Sequence, residues 1–305
     1  MKRLSRFHPG AVCIYFACAM LPVMFGINPV TAGIGLAGGL VLLATQERDG
    51  VVKTAAFHLL LPLLSAVINP VFNHNGVTAL LFINGNPVTG EAILNGAVLG
   101  MVISTTLLWA RCFTRQMDTD RLLCVTGALH PKLSLVLSLT IRYIPMLRRQ
   151  AARTGEAMRA MGLMREENAP DRLRGALRQF GAMVTWTLEN GAVTADSMAA
   201  RGYGSGPRSR YRLFRWTRAD TALAAASLAL IGLLAYARVS GRIGYTWYPV
   251  YTAIRPDGAG VAGYIGYGLL CLLGSAMEIG EGLQWKKRME RFAAEERHDG
   301  LAAGE

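Results

Sequence analysis

Six stretches of this chain are apolar for roughly the 17–25 residues that a helix needs to cross a hydrocarbon layer about 30 Å thick. Inside such a layer the backbone must satisfy its own hydrogen bonds, which restricts each stretch to a helix. The runs lie near Gly10–Gly26, Val30–Thr45, Thr54–Val71, Ala92–Trp109, Thr221–Val239 and Val261–Met277. The first two are short and form a tight hairpin through Asn28-Pro29. With 52% hydrophobic residues the composition is only moderately apolar, so the spans must share the chain with a long polar insertion. The expected fold class is an all-α integral membrane protein of about six transmembrane helices, with a long cytoplasmic two-helix segment between spans four and five.

Lys and Arg orient such a chain, because they accumulate on the cytoplasmic side. Lys2, Arg3 and Arg6 precede the first span, and Lys286, Lys287, Arg288 and Arg291 follow the last. Residues 142–218 hold fifteen Arg, no Lys and six acids, whereas the 72–91 loop has neither Lys nor Arg. A multi-pass protein of the cell membrane with both termini and residues 142–218 in the cytoplasm accounts for this pattern. The expected organisation is a four-span part (1–141), a cytoplasmic segment (142–218), a two-span part (219–282) and a cytoplasmic tail (283–305). A cleaved signal peptide ending near Ala17-Cys-Ala19 is an alternative for residues 1–26, but a second apolar run follows at once and favours the hairpin. Cys13, Cys18, Cys112, Cys124 and Cys271 show no CxxC spacing and read as reduced thiols.

The polar insertion reads as two amphipathic helices. Leu147, Ala151, Thr154, Met158 and Met161 step by four and three along one face, with Arg149, Arg153, Glu156 and Arg159 on another. Asn168-Ala-Pro170-Asp171 breaks the pattern. A second stripe runs through Leu173, Leu177, Phe180, Val184, Thr187, Gly191, Thr194, Met198 and Arg201, and its later half is thin with Gly and Ala. Small residues there permit close helix approach. These stripes need cover, and the Arg excess suits anionic lipid headgroups.

Each helix ends in a version of one heptapeptide. Glu156-Ala-Met-Arg-Ala-Met-Gly162 and Asp196-Ser-Met-Ala-Ala-Arg-Gly202 share an acid, then Met two later, Ala four later and Gly six later. Taken alone, Ala200-Arg201-Gly202 is an ordinary helix end, with a cation complementing the dipole and Gly just beyond. Two copies in one basic segment point to two contact points.

Other motifs carry less. Gly33-Ile-Gly-Leu-Ala-Gly38 has dinucleotide-fingerprint spacing but lies inside an apolar run with no strand before it, so close helix packing explains it better. No GxxxxGK[ST] motif is present, and His8, His58, His74, His130 and His298 contain no i,i+4 pair. His74 reads as shaping an outer loop. The Arg208–Arg218 run is interleaved with Tyr211, Phe214 and Trp216 and fits a membrane-interface anchor better than a nucleic-acid site. Glu278 and Glu281 read as the cytoplasmic end of the last span.

Together these segments resemble the transmembrane T component of energy-coupling factor (ECF) transporters, the CbiQ/EcfT family. The resemblance rests on Arg6-Phe-His-Pro9, on the run His130–Leu147 with Arg142-Tyr-Ile-Pro145, on the two heptapeptides, and on Gly202-Tyr-Gly204. Asn69–Gly76 and Asn84–Glu91 add to it, and the likeness covers about residues 6–240. It implies a coupling subunit that is not an enzyme and binds no cofactor itself, ATP and Mg²⁺ belonging to partner ATPases. The implied partners are two ABC ATPase subunits and a small membrane substrate-binding S component for a vitamin or a transition-metal ion. Membrane lipids are expected too, and nucleic acid is not. Carried over, Ala200, Arg201 and Gly202 would dock on one ATPase, and Ala160, Met161 and Gly162 on the other. Met161 departs from the family's Arg. Arg159 and Arg165 lie near, but one residue of shift turns a helical side chain by about 100°. Two alternatives are a membrane enzyme acting on a phosphorylated lipid or isoprenoid and a self-contained channel. The enzyme lacks a convincing acidic pair, Asp118-Thr-Asp120 standing alone, and the channel lacks polar residues along the spans.

Overall fold

The computed structural model describes residues 7–47, 50–73, 78–83, 86–163, 168–206, 214–243 and 257–302. The helices are α1 (Pro9–Phe25), α2 (Pro29–Gln46), α3 (Val51–Phe72), α4 (Gly90–Gln116), α5 (Thr119–Leu129), α6 (Pro131–Ala160), α7 (Ala169–Ala200), α8 (Arg218–Val239) and α9 (Gly258–Ala302). The chain divides into two compact units, residues 1–121 with 214–305 and residues 122–213. Among the described residues, α2, α3, α4, α8 and the Gly258–Gly280 part of α9 are long and apolar enough to cross a membrane, and α1 is a shorter apolar helix. This is an all-α multi-pass membrane protein, with one small addition. Where the sequence suggested only a loop, β1 (Ala79–Ile83) and β2 (Asn86–Thr89) pair antiparallel. The backbone N–H of Thr78 donates to the Glu91 carboxylate in the first turn of α4, which ties the hairpin to that helix.

In the larger unit the helices alternate in direction. Gly35 approaches Tyr267 and Gly38 approaches Cys271, so α2 and α9 run parallel. Gly35 meets Thr105 and Gly39 meets Leu108, so α4 runs the same way. On α3 the order reverses: Gly96 meets Ser65 and Asn69, and Gly100 meets Leu61 and Pro62. Close glycine packing therefore holds for Gly35 and Gly38, as expected from the sequence, while Gly33 has nothing within 4 Å of the position a Cβ would take. A side chain at Gly38 would meet the Cys271 Cβ at 2.5 Å, so only hydrogen fits.

The core is aromatic, and the polar atoms of Trp109 and Tyr267 within it are partnered. Tyr15, Phe16, Trp109 and Tyr267 are almost fully buried. Trp109 Nε1 donates to the Gly35 carbonyl at 2.9 Å, and Tyr267 Oη donates to the Ala19 carbonyl at 2.8 Å. In a medium without water an unmade bond of this kind is costly, so these contacts set register as well as contributing packing. Pro62 works in the same way. Its missing N–H leaves the His58 carbonyl without a helical partner, and the Ser104 hydroxyl of α4 donates to that carbonyl. None of the five cysteines forms a disulfide, and Cys18, Cys112 and Cys271 are buried.

Candidate functional site

The two heptapeptides fold into the same structure. α6 ends with Met161 at φ −80°, ψ 0°, followed by Gly162 at φ +69°. α7 ends with Arg201 at φ −83°, ψ 6°, followed by Gly202 at φ +80°. At the first tip Leu163 N–H bonds to the Met158 carbonyl at 2.9 Å and Gly162 N–H to the Arg159 carbonyl at 2.9 Å. At the second Tyr203 N–H bonds to Met198 at 3.0 Å and Gly202 N–H to Ala199 at 2.9 Å. This crossed pair of bonds is the Schellman motif, which requires a left-handed residue just past the helix and favours an apolar residue after it, near the helix's third-last position. The spacing in the sequence now has its cause. The glycine supplies the left-handed backbone. The shared methionines, Met158 and Met198, stand at the positions that pair with Leu163 and Tyr203.

Both tips face outward. Met161 is 64% exposed, and Ala160, Gly162, Ala200, Arg201 and Gly202 are exposed as well. Ser205 Oγ donates to the Gly202 carbonyl and tightens the turn beyond the second tip. Glu156, Arg159 and Asp196 are exposed one turn or less before the tips, and Arg142 and Pro145 are exposed on α6. Pro145 lies inside that helix without ending it. An open cleft of about 330 Å³ sits behind the first tip, lined by Ala151, Ala152, Gly155, Glu156, Arg159 and Gln179.

α6 and α7 meet in antiparallel order. Gln179 Nε2 donates to the Ala151 carbonyl at 2.7 Å, and the Tyr143 and Thr194 hydroxyls are 2.9 Å apart. Gly155 admits the Gln179 amide. Opposite directions put the tips at opposite ends of the pair, on the order of 40–50 Å apart at 1.5 Å per residue. The face of α7 turned to α6 takes in only the later part of the apolar stripe, at Thr194. It carries Gly175, Gln179 and Thr194, while Leu173, Leu177, Phe180, Val184 and Leu188 stay exposed within this unit. The small residues were expected to serve a close crossing, yet Gly181 and Gly191 have nothing within 4 Å. The contact at Gln179 is a side-chain hydrogen bond to a backbone carbonyl, and hydrophobic periodicity carries no record of it.

Reading the sequence also missed a cluster in the larger unit where α1, α4, α5 and α8 begin or end. Arg121 is 3% exposed and donates to the Gln116 carbonyl at 2.6 Å and to the Phe7 carbonyl at 2.7 Å. Its guanidinium also lies over the Phe214 ring, 5.6 Å from the centroid. His8 N–H donates to Asp220 at 2.6 Å, and its ring stands 4.8 Å from that of Trp216. Asp220 closes a capping box with Thr217 at the start of α8. The Arg6–Pro9 string hinted at this cluster, but Arg121 carried no sequence mark. At the same end of the unit Gln116 Nε2 donates to Glu278 at 3.0 Å. Arg6, His74, Arg165, Arg208, Arg210, Tyr211 and Arg212 lie outside the described residues, as do the side chains of Glu281 and the basic tail. No group of three or more metal-ligating side chains is placed to hold an ion among the described residues.

The larger unit is a multi-pass membrane bundle, and the smaller one carries two matching, exposed helix tips. The chain belongs to the CbiQ family, described as cobalt transport protein, whose model matches residues 2–212. It is 27% identical over 188 residues to the energy-coupling factor transporter transmembrane protein EcfT of Listeria innocua, covering 58% of this chain and 71% of that one. It is 31% identical over 105 residues to the protein of the same description from Lacticaseibacillus paracasei, covering 34% of this chain and 40% of that one. A third such protein, from Exiguobacterium sibiricum, is 30% identical over 109 residues and is matched over 41% of its length.

Proposed function

We propose that this chain is the coupling subunit of an ECF-type ABC importer. It passes the ATP-driven motion of two ATPase subunits to a substrate-binding membrane S component, for uptake of a vitamin or a transition-metal ion. The observation that carries this reading is the pair of identically capped, outward-facing tips at opposite ends of the α6–α7 unit. A dimeric ATPase offers two equivalent grooves, and two equivalent tips match them in number. Ala200, Arg201 and Gly202 form one docking end, and Ala160, Met161 and Gly162 the other. A charge-assisted bond from Arg201 in an acidic groove is worth about 1.5–3 kcal/mol, while Met161 supplies an adaptable thioether for an apolar contact.

In this mechanism ATP binding draws the two grooves together, and α6 and α7 carry the displacement to the membrane. Nucleotide and Mg²⁺ stay on the ATPases. The chain itself has no catalytic role. It spans the cell membrane six times, α1 included, with both termini cytoplasmic. The basic residues Lys53, Arg111, Arg115, Arg121 and Arg218 support that orientation, because all stand at one end of the alternating helices. Co-purification from detergent tests the reading. Two ATPase chains per copy are expected, with ATP-driven uptake once an S component is present. A preparation that acts on a phosphorylated lipid without ATPase partners would overturn it, as would an external location for residues 142–218.

A further inference from the structure

Glu47 caps the end of α2 and is 5% exposed, yet it answers two guanidiniums. Arg111 Nη2 approaches Glu47 Oε1 at 2.9 Å, and Arg115 Nη2 pairs with the same oxygen. Thr54 Oγ1 donates to the other oxygen at 3.4 Å. One carboxylate cannot neutralise two cations, and the Arg111 and Arg115 side chains remain 46% and 36% exposed. Among the described residues, Glu47, Lys53, Arg111 and Arg115 set three cations against one carboxylate.

The surroundings of this excess charge are apolar on one side only. Ile103, Leu107, Arg111 and Arg115 follow one another at four-residue intervals, which places them on one ridge of α4. Ile103 and Leu107 are 51% and 47% exposed. On the neighbouring antiparallel α3, Lys53 is exposed, and Phe57 and Leu64 farther along are 56% and 51% exposed. Both ridges therefore turn from apolar to basic at the same level. The first turn of α3 adds no acid, and its N-cap Gly50 makes no side-chain bond to the free backbone N–H groups.

We propose that the α3–α4 groove is a binding site for one anionic phospholipid. Its phosphate sits against Arg111, Arg115 and Lys53, and an acyl chain lies along Phe57, Leu64, Leu107 and Ile103. Glu47 acts as the positioning residue that holds both guanidiniums at the headgroup level. A lipid meets both features at once, its headgroup at the cations and its acyl chain along the continuous apolar ridge beside them. Only the choice of leaflet, the inner one, rests on the orientation proposed above.

Native mass spectrometry of the intact chain, purified in detergent and delipidated, tests this without any transport step. Phosphatidylglycerol and phosphatidylcholine with the same acyl chains are the probes. Phosphatidylglycerol is expected to be retained about tenfold better, from the attraction of surface cations for anionic headgroups. Lys53→Gln leaves the buried pair intact and lowers that preference severalfold. The combined Glu47→Gln, Arg111→Gln, Arg115→Gln variant removes the cations without stranding a buried charge and abolishes the preference. Equal retention of the two lipids overturns the proposal, as does a preference that survives in the combined variant. Displacement of phosphatidylglycerol by inorganic phosphate alone would assign the site to a free anion; in a second measurement on the complex purified with its partners, loss of partner subunits from the combined variant with unchanged lipid retention would assign it to a protein. Either result also overturns it.

Discussion

The Arg121 guanidinium donates to the Phe7 carbonyl at 2.7 Å across 114 positions of sequence. Its other branch reaches Gln116, whose carbonyl in the last turn of α4 has no helical partner of its own. Arg121 is the last residue of the larger unit before the chain leaves for α6 and α7, and Phe214, under its guanidinium, is the first on the way back. One buried cation thus closes the base from which the helical pair departs.

Replacing Arg121 by Leu leaves those two carbonyls without their donor. The expected cost is about 2–4 kcal/mol, read as a lower melting temperature in detergent. Arg121→Lys keeps the charge but loses the two-branched reach, so it should fall between Leu and wild type.

Gly162 and Gly202 occupy left-handed backbone that a side chain resists. Gly162→Ala and Gly202→Ala should each destabilise their tip by about 1–2 kcal/mol, seen as faster amide exchange over the last turn of α6 or α7. Gly181→Ala, in the interior of α7 with open space around it, should raise helix stability by about 0.5–1 kcal/mol. A loss at Gly181 matching that at the tips would contradict the assignment.

The tips share a backbone but differ in their exposed side chain. Arg201→Ala is expected to reduce ATPase retention and ATP-driven uptake more than Met161→Ala does. Equal losses in a pull-down paired with an uptake assay would argue against unequal docking.

His8 makes the α1 base sensitive to acid. Its Nδ1 accepts from the Gly10 N–H at 3.1 Å, which requires a neutral ring. Burial lowers the pKa of His8; Asp220 opposes that shift, and Arg121 reinforces it. The folded value lies below that of the unfolded chain, near 6.5. The stabilising contribution is therefore complete above about pH 6.5 and is lost as the pH falls through the folded value. The melting temperature should show a step on that side of neutrality. His8→Asn, which keeps a cap acceptor, should remove the step while leaving the rest of the profile.

Glu47 shows the same linkage in a more acidic window. Burial alone would raise its carboxyl, but the Arg111 hydrogen bond and the charges of Arg115 and Arg111 outweigh burial and hold it below the ordinary range. Its contribution is present above about pH 4.3 and is lost as the pH falls through the lower, folded value. Glu47→Gln should flatten that acid limb and loosen Arg115, measured as greater access of its side chain to a guanidine-modifying reagent.

The membrane helices were legible because they depend on length and apolarity alone, properties that any stretch of chain carries locally. The helix tips were legible too, since a Schellman cap is written within six residues: Met158 to Leu163, and again Met198 to Tyr203. Which face of α7 meets α6 was not. The apolar period marked Leu173 and Phe180 as a face needing cover, but it did not show that Gln179 would bond to the Ala151 carbonyl. Arg121 was invisible for the same reason. Its partners Phe7 and Phe214 lie far away in sequence, and only folding brings the two chain ends to one guanidinium. Local pattern determines what a segment becomes, whereas a buried polar group finds its partner wherever the tertiary structure puts a free carbonyl, and that choice leaves no period in the sequence.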